Sequence, residues 1–215
     1  AFYEKEPLTI RVNRNRISPA DLKVRLEARG IHMRPAPYID GALQMDGFDY
    51  LGGLDEFREG LFQVQDVSSM LAVEIAGVKA GDHCIDVCAA PGGKSLLLIE
   101  EMGDEGRLVS CDVSENRVQL IRKAVERMGF RNVEPRVSDG TKADADLPMA
   151  DAILVDAPCS GLGILAKKPD IRYKTLEKAR HDELLATQSA ILDTAAAHLK
   201  EGGRLVYSTC TIDPA

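Results

Sequence analysis

Cys159 and Cys210 stand in two short turns, Asp156-Ala-Pro-Cys-Ser-Gly161 and Tyr207-Ser-Thr-Cys-Thr211. Each turn follows an apolar run, Ala150 to Val155 and Leu205-Val206, that reads as a strand of a parallel sheet. A lone buried cysteine is ordinarily a small hydrophobe, and that plain reading suits Cys84 and Cys111. It suits less well two thiols at the carboxyl ends of strands, where open α/β sheets bind their ligands. One chemistry that wants thiols there is attack on a pyrimidine. C5 of the ring is a poor nucleophile. A thiolate adding to C6 turns the ring into an enamine whose C5 can attack a sulfonium methyl. Cysteine suits this step because it is nucleophilic and a fair leaving group near neutral pH. An acid protonating N3 would ease the addition, and Asp156 could do so if a partly apolar site kept it protonated. A base must then take the C5 proton.

A sulfonium donor needs a cradle, and Cys84-Ile-Asp-Val-Cys-Ala-Ala-Pro-Gly-Gly-Lys-Ser95 supplies a candidate. Ile85 and Val87 read as a short buried strand. Cys88, Ala89, Ala90, Pro91, Gly92 and Gly93 are a small-residue turn, and Lys94 onward starts a leucine-rich helix. Strand, tight turn and helix bring backbone N–H groups and a helix N-terminus to one point. A P-loop also ends in Gly-Lys-Ser, but its first glycine position is Cys88 here. The dinucleotide fingerprint G-x-G-x-x-G is absent. The remaining candidate is S-adenosylmethionine, with Asp112 at the end of a second strand, Arg107 to Asp112, about twenty residues past the glycines, where a ribose carboxylate belongs. The plain alternative is a βαβ turn that binds nothing. Asp139, after a third strand, can reach an adenine amino group or merely make an Asx turn.

The elements that must position these residues follow from pattern and punctuation. The 215 residues, 45% hydrophobic, can hold one large α/β domain and a small appendage. Leu8 to Val12 alternates as a strand, and Ser18 with Pro19 starts a helix that Gly30 ends. Ile31 to Tyr38, with two prolines, is at best an edge strand, and Ala42 to Asp46 a further one. Arg11, Arg14, Arg16, Arg25, Arg29 and Arg34 give residues 1–60 a basic bias that suits RNA phosphates or a solvated surface. Residues 61–215 form the second unit. Phe57 to Ala76 reads as a helix, Val113 to Met128 as another, and Val133 to Val137 as a strand broken by Pro135. Leu162 to Arg180 carries Lys167, Lys168, Arg172, Lys174, Lys178 and Arg180 just past the fourth strand, which suits a nucleic-acid path. His181 to Leu199 is a long helix ended by Gly202-Gly203.

A net charge of −7 argues against a generally adhesive nucleic-acid binder, though not against a local patch. No eighteen-residue apolar run suggests a membrane span. Five scattered cysteines without C-x-x-C predict reduced thiols in the cytoplasm and no metal site. Both ends look cut, so a fragment is expected, and a monomer.

Three stretches, Asp86-Val-Cys-Ala-Ala-Pro-Gly-Gly-Lys-Ser95, Asp156-Ala-Pro-Cys-Ser-Gly-Leu-Gly163 and Tyr207-Ser-Thr-Cys-Thr211, resemble the signature motifs of the Sun/Nop2-type RNA cytosine-5 methyltransferases. Pro7-Leu-Thr-Ile-Arg-Val-Asn13 and Lys168-Pro-Asp-Ile-Arg-Tyr173 resemble that family's bacterial 16S ribosomal RNA branch. The resemblance implies an α/β fold: a Rossmann-like, S-adenosylmethionine-dependent methyltransferase domain with a mostly parallel sheet, behind a small N-terminal α+β, RRM-like unit. It implies Cys210 as nucleophile and Cys159 as the group that assists product release. Residues Cys88 to Lys94, with Asp112, Asp139 and Asp156, would hold S-adenosylmethionine, and Lys94 would orient Asp156. The partner implied is 16S rRNA or a small-subunit assembly intermediate. The family's N-terminal helical RNA-binding domain and its last strands are not found in these residues, so inactivity of this stretch alone is expected. A role reversal with Cys159 attacking, as in DNA cytosine methyltransferases, and a non-catalytic RNA-binding assembly factor are the alternatives.

Overall fold

The computed structural model describes residues 7–103, 105–165, 167–173 and 178–212. Its larger sheet has five parallel strands: β5 (His83–Asp86), β6 (Arg107–Asp112), β7 (Val133–Val137), β8 (Ala150–Asp156) and β9 (Leu199–Ser208), in the order β7-β6-β5-β8-β9. The order reverses between β5 and β8, so their carboxyl ends open onto a crevice. Helices α3 (Val67–Ala76), α4 (Gly93–Met102), α5 (Glu115–Met128) and α6 (Lys178–Ala197) flank it. Leu96, Leu98, Ile99 and Met102 of α4 are fully buried together with Leu108 and Leu154 of the sheet. The Rossmann-like α/β expectation holds.

The smaller sheet is antiparallel, in the order β2-β3-β1-β4. It contains β1 (Leu8–Val12), β2 (His32–Pro35), β3 (Ala42–Asp46) and β4 (Phe62–Val64), with α1 (Pro19–Glu27) between β1 and β2 and a one-turn α2 (Asp55–Arg58) before β4. This is the βαββαβ ferredoxin-like pattern. Ser18 caps α1, its Oγ accepting from the Asp21 N–H at 3.1 Å, with Pro19 in the first turn.

Four local readings differ. Phe57 to Ala76 is not one helix: Ile10↔Val64 and Val12↔Phe62 pair β4 with β1, so the front sheet reaches past residue 60 and only Val67 onward is helical. Pro135 does not break β7, which stays continuous because it lies at the sheet's edge, where its missing N–H costs no ladder bond. The last helix ends at Ala197 rather than at the glycines, and Gly202 lies inside β9, where the pairing with β8 slips between Ala150 and Ala152. Of the front arginines, Arg14, Arg16, Arg25, Arg29 and Arg34 are exposed, but Arg11 is not part of that basic surface. Arg11 is 5% exposed and ion-paired with Glu100 of α4. Arg14 donates to the Asp40 carbonyl at 2.6 Å, Arg34 to Gln44 Oε1 at 2.8 Å, and Arg29 pairs with Glu56 at 3.0 Å.

The two units share a polar seam. Buried Asn13 donates from Nδ2 to the carbonyls of Gly60 and Met128, at 2.9 and 3.1 Å. Arg127 of α5 donates to the carbonyls of Phe57 and Phe62, at 2.9 and 3.1 Å, with its guanidinium 4.2 Å from the centre of the Phe57 ring. These bonds fix the end of β4 against the larger sheet, so residues after β4 become a wall of the crevice.

Candidate active site

The cradle begins where β5 ends. Ala89 N–H donates to the Cys111 carbonyl at 2.8 Å, and Gly92 N–H to the Ala89 carbonyl at 2.7 Å, closing the turn that α4 leaves. Gly92 has φ +106°, a conformation other residues rarely adopt, and a Cβ there would lie 3.5 Å from the Ile121 Cα. It shapes the turn beneath α5 and does not line the cleft. Gly93 is different: a Cβ built on it meets nothing within 4 Å, so it opens into free space.

That space is a cleft in two parts. One part, about 200 Å³, is lined by Cys88, Ala89, Ala90, Pro91, Gly93, Lys94 and Asp156, together with Asp86 and Gln63 to Asp66. The other part, about 330 Å³, is lined by Cys88, Asp112, Asp139, Thr141, Asp156 and Pro158. Asp112, 3% exposed, accepts from Ala90 N–H at 3.0 Å through Oδ2. Its Oδ1 accepts from Val113 N–H at 2.9 Å and Arg117 Nε at 2.6 Å. A carboxylate has about four acceptor positions, so Oδ2 keeps room for a hydroxyl. Asp139 makes the Asx turn and still faces the cleft: Oδ1 accepts from Thr141 N–H at 3.1 Å and Thr141 Oγ1 at 2.7 Å. Lys142, 2.7 Å from Oδ2, together with Thr141, holds that carboxyl down to about 2. An open glycine floor, an acceptor carboxylate at the second strand's end and a second one beyond fit an adenosyl ligand.

Beside the cleft the two cysteine turns are zipped together. Ala157 N–H donates to the Ser208 carbonyl at 2.9 Å, and Ser160 Oγ and Thr211 Oγ1 share a hydrogen bond of 2.6 Å. Gly163 N–H donates to the Cys210 carbonyl at 3.0 Å, and a Cβ on Gly163 would come within 2.9 Å of that oxygen, so glycine lets the two turns approach this closely. The result is Cys159 Sγ 3.1 Å from Cys210 Sγ. Asp156 sits between them and the cradle. Its Oδ2 is ion-paired with Lys94 Nζ at 2.6 Å and its Oδ1 accepts from Ser208 Oγ at 2.8 Å. Burial pushes the Cys210 thiol up to about 11, helped by the Cys159 contact and the Asp156 charge. Cys84, Cys88 and Cys111 are pushed up to about 12, chiefly by burial, which leaves them inert thiols.

A family model described as "16S rRNA methyltransferase RsmB/F" matches residues 74–215. The chain belongs to that family. A second model, an RsmF/B-like ferredoxin-like domain, matches residues 1–48, in keeping with the front sheet. The chain is 37% identical over 209 residues to a probable ribosomal RNA small subunit methyltransferase B of Bacillus subtilis, and 38% identical over 212 residues to a ribosomal RNA small subunit methyltransferase F of Escherichia fergusonii. Each alignment takes in 95% of this chain but only 46% and 44% of the relative, so the chain spans less than half the length of these relatives. The crystal structure of a methyltransferase homologue from Pyrococcus horikoshii superposes with a TM-score of 0.81 at 31% identity, over 99% of this chain and 67% of that one. The RsmB/F family is one of S-adenosylmethionine-dependent RNA methyltransferases, as the cradle motif implies.

Of the residues expected in the site, Cys88 to Pro91, Gly93, Lys94, Asp112, Asp139 and Asp156 line the cleft, Gly92 works through the turn, and Cys159 and Cys210 meet each other without lining it. Asp86 and Gln65 also line the cleft, where no expectation placed them. Asp86 lies inside the cradle motif, but spacing does not tell which face of a short strand its side chain takes. Gln65 belongs to a stretch read as helix, so nothing in its pattern placed it against the cradle. In the basic stretch, Lys167 pairs with Asp66 across the seam, while Lys168, Lys178 and Arg180 are exposed. Lys174 and the side chain of residue 172 lie outside the described residues. Among the described residues no helix is long and apolar enough to cross a membrane, and no group of three metal-ligating side chains gathers.

Proposed function

We propose that this chain is the donor-binding and catalytic part of an enzyme that methylates C5 of a cytosine in 16S ribosomal RNA, with Cys210 as nucleophile. The observation that carries the reading is the 3.1 Å approach of Cys159 and Cys210, 51 residues apart in sequence, within reach of the charge of Asp156, which lines the cleft. Cys88 to Lys94, Asp112, Asp139 and Asp156 hold S-adenosylmethionine, which supplies an electrophilic methyl group.

The residues then divide the work. Cys210 loses its proton and its sulfur bonds to C6 as the C5=C6 π bond opens and N3 takes up a proton, which leaves C5 nucleophilic. In the free protein that thiol is held protonated, so its deprotonation belongs to the substrate complex. Asp156, steadied by Lys94 and Ser208, faces the ring's N3 and N4 edge. Cys159, touching Cys210, assists as C5 loses its proton and the C6–sulfur bond breaks, which returns Cys210 and frees 5-methylcytosine. A cytosine stacked in a helix cannot reach Cys210, so the target is single-stranded or splayed RNA. Lys168, Lys178 and Arg180 provide phosphate contacts beside the mouth.

The test is to incubate the intact protein that carries this chain with unmethylated 16S rRNA and small subunits, using methyl-labelled donor, and to digest the RNA to nucleosides. Label in 5-methylcytidine is expected. Label in any other nucleoside, or none on either substrate, refutes the proposal.

A further inference from the structure

The turn that carries Cys159 is tied to the Cys210 turn and also to α6. The first tie is the pair of bonds from Ala157 N–H to the Ser208 carbonyl, at 2.9 Å, and between Ser160 Oγ and Thr211 Oγ1, at 2.6 Å. The second is Gln188 of α6, which donates from Nε2 to the Pro158 carbonyl at 2.8 Å. Proline has no N–H to give, so the carbonyl is what fixes the peptide leading into Cys159. A carbonyl only accepts, which sets the Gln188 amide with its NH₂ toward it. The helix behind Gln188 is a firm base. Ile191 and Ala195, 4% and 3% exposed, pack with Val155 and Ala157 at the end of β8. Thr187 and Ile191, on either side of Gln188, line the same part of the cleft as Pro158 and Asp156. The first turn of the same helix carries Lys178 and Arg180, both exposed.

We infer that Gln188 is a positioning residue for product release: it holds the Pro158–Cys159 peptide so that the Cys159 sulfur stays beside that of Cys210. The inference rests on the reading above, in which Cys159 assists release, and deepens it. In that step the C5 proton passes to the Cys159 thiolate and its bonding electrons form C5=C6. The C6–sulfur bond breaks with its electrons on Cys210, and N3 gives back the proton it took. A reacting group displaced by about 1 Å can cost on the order of a hundredfold in rate. Cys210 stands on the other turn, its carbonyl held by Gly163 N–H at 3.0 Å, so its attack on C6 does not depend on Gln188. RNA phosphates held by Lys178 and Arg180 would share one rigid support, α6, with the Cys159 turn.

The test uses the intact protein that carries this chain, with 16S rRNA and S-adenosylmethionine, and follows the covalent protein–RNA complex on denaturing gels. Gln188→Met keeps the helix and the side-chain length but loses the donor. Gln188→Arg restores one, because arginine Nε lies as many bonds from Cα as glutamine Nε2 and only donates. In Gln188→Met, release from the complex should slow by at least about fivefold, the scale of one net hydrogen bond, while complex formation and the KM for RNA stay within about twofold of wild type. Gln188→Arg should return release to within about twofold of wild type. Added to Cys159→Ala, Gln188→Met should slow release no further, since both changes act on one group. Unchanged release in Gln188→Met, an equal slowing of complex formation, an arginine variant as slow as the methionine one, or a further loss in the double variant overturns the positioning role. Cys159→Ala alone tests the reading beneath it. A trapped complex there, with none accumulating in Gln188→Met, sinks the positioning role and leaves that reading standing; no trapped complex in either sinks both.

Discussion

Arg11→Met is the most informative structural perturbation. Arg11 and Glu100 have side chains only 7% and 6% exposed and join the front unit to α4. Arg11 also holds Gln65 at 2.9 Å. Methionine fills much of the same volume but leaves a buried carboxylate without its partner and Gln65 Oε1 without a donor. Removing one partner of a buried pair costs about 3–5 kcal/mol. Glu100 Oε1 also accepts from Arg14 N–H at 3.2 Å, and Glu100 borders a seam cavity of about 330 Å³ that water can enter, so the low end applies. For a chain of this size, about 3 kcal/mol lowers the melting temperature by about 6–12 °C. Circular dichroism melts of wild type, Arg11→Met and Arg11→Met/Glu100→Leu, at one pH and salt, measure it. The double variant removes the orphaned charge and should recover at least half of the loss. A single-variant loss under about 1 kcal/mol, or a double variant no better than the single, would show that this pair does not tie the units together.

Gly93→Leu should leave the melting temperature nearly unchanged, because its Cβ direction is open, yet weaken S-adenosylhomocysteine at least about tenfold in titration by filling the cleft. Asp139 has a folded-state carboxyl near 2 against an ordinary 3.8. Its contribution to stability is therefore present above about pH 3.8 and lost as pH falls toward 2. The stability gap between wild type and Asp139→Asn should accordingly shrink between pH 5 and pH 2 in denaturation midpoints; a constant gap contradicts the pairing with Lys142 and Thr141. The oxidant diamide should join Cys159 to Cys210, two thiols giving one disulfide while the diazene is reduced to a hydrazine. Peptide mapping should find Cys84, Cys88 and Cys111 still reduced. With Cys210 near 11, its alkylation by iodoacetamide should still accelerate from pH 8.5 to pH 10, and a plateau by pH 8.5 would contradict that value.

Much of this was legible in the residues because local rules and global need agree. A buried strand, a run of small residues and a leucine-rich helix can hardly form anything but the β5–α4 cradle, and apolar runs ending in Asp112, Asp156 and Ser208 give parallel strands whose ends must converge. What was hidden lies where a signal is shorter than its period. β4 is three residues long, too few to show alternation before the helical spacing of Val67 onward takes over. Pro135 is tolerated only because β7 ends up at the edge, a matter of sheet order. Arg11 looks like its basic neighbours, and only packing against α4 separates a buried structural cation from a surface one. Gln65 and Asp86 fall in the same class: their types are plain, but what each bonds to depends on Arg11 and Ser95, 54 and 9 residues away.

The central claim is that the sulfur of Cys210 bonds to the ring while that of Cys159 helps release it. Cys159→Ala and Cys210→Ala, made in the intact protein that carries this chain, should be incubated with 16S rRNA and S-adenosylmethionine and run on a denaturing gel. A protein–RNA band that survives denaturation is expected for Cys159→Ala and absent for Cys210→Ala. A surviving band in Cys210→Ala, or methylation that persists in it, contradicts the account.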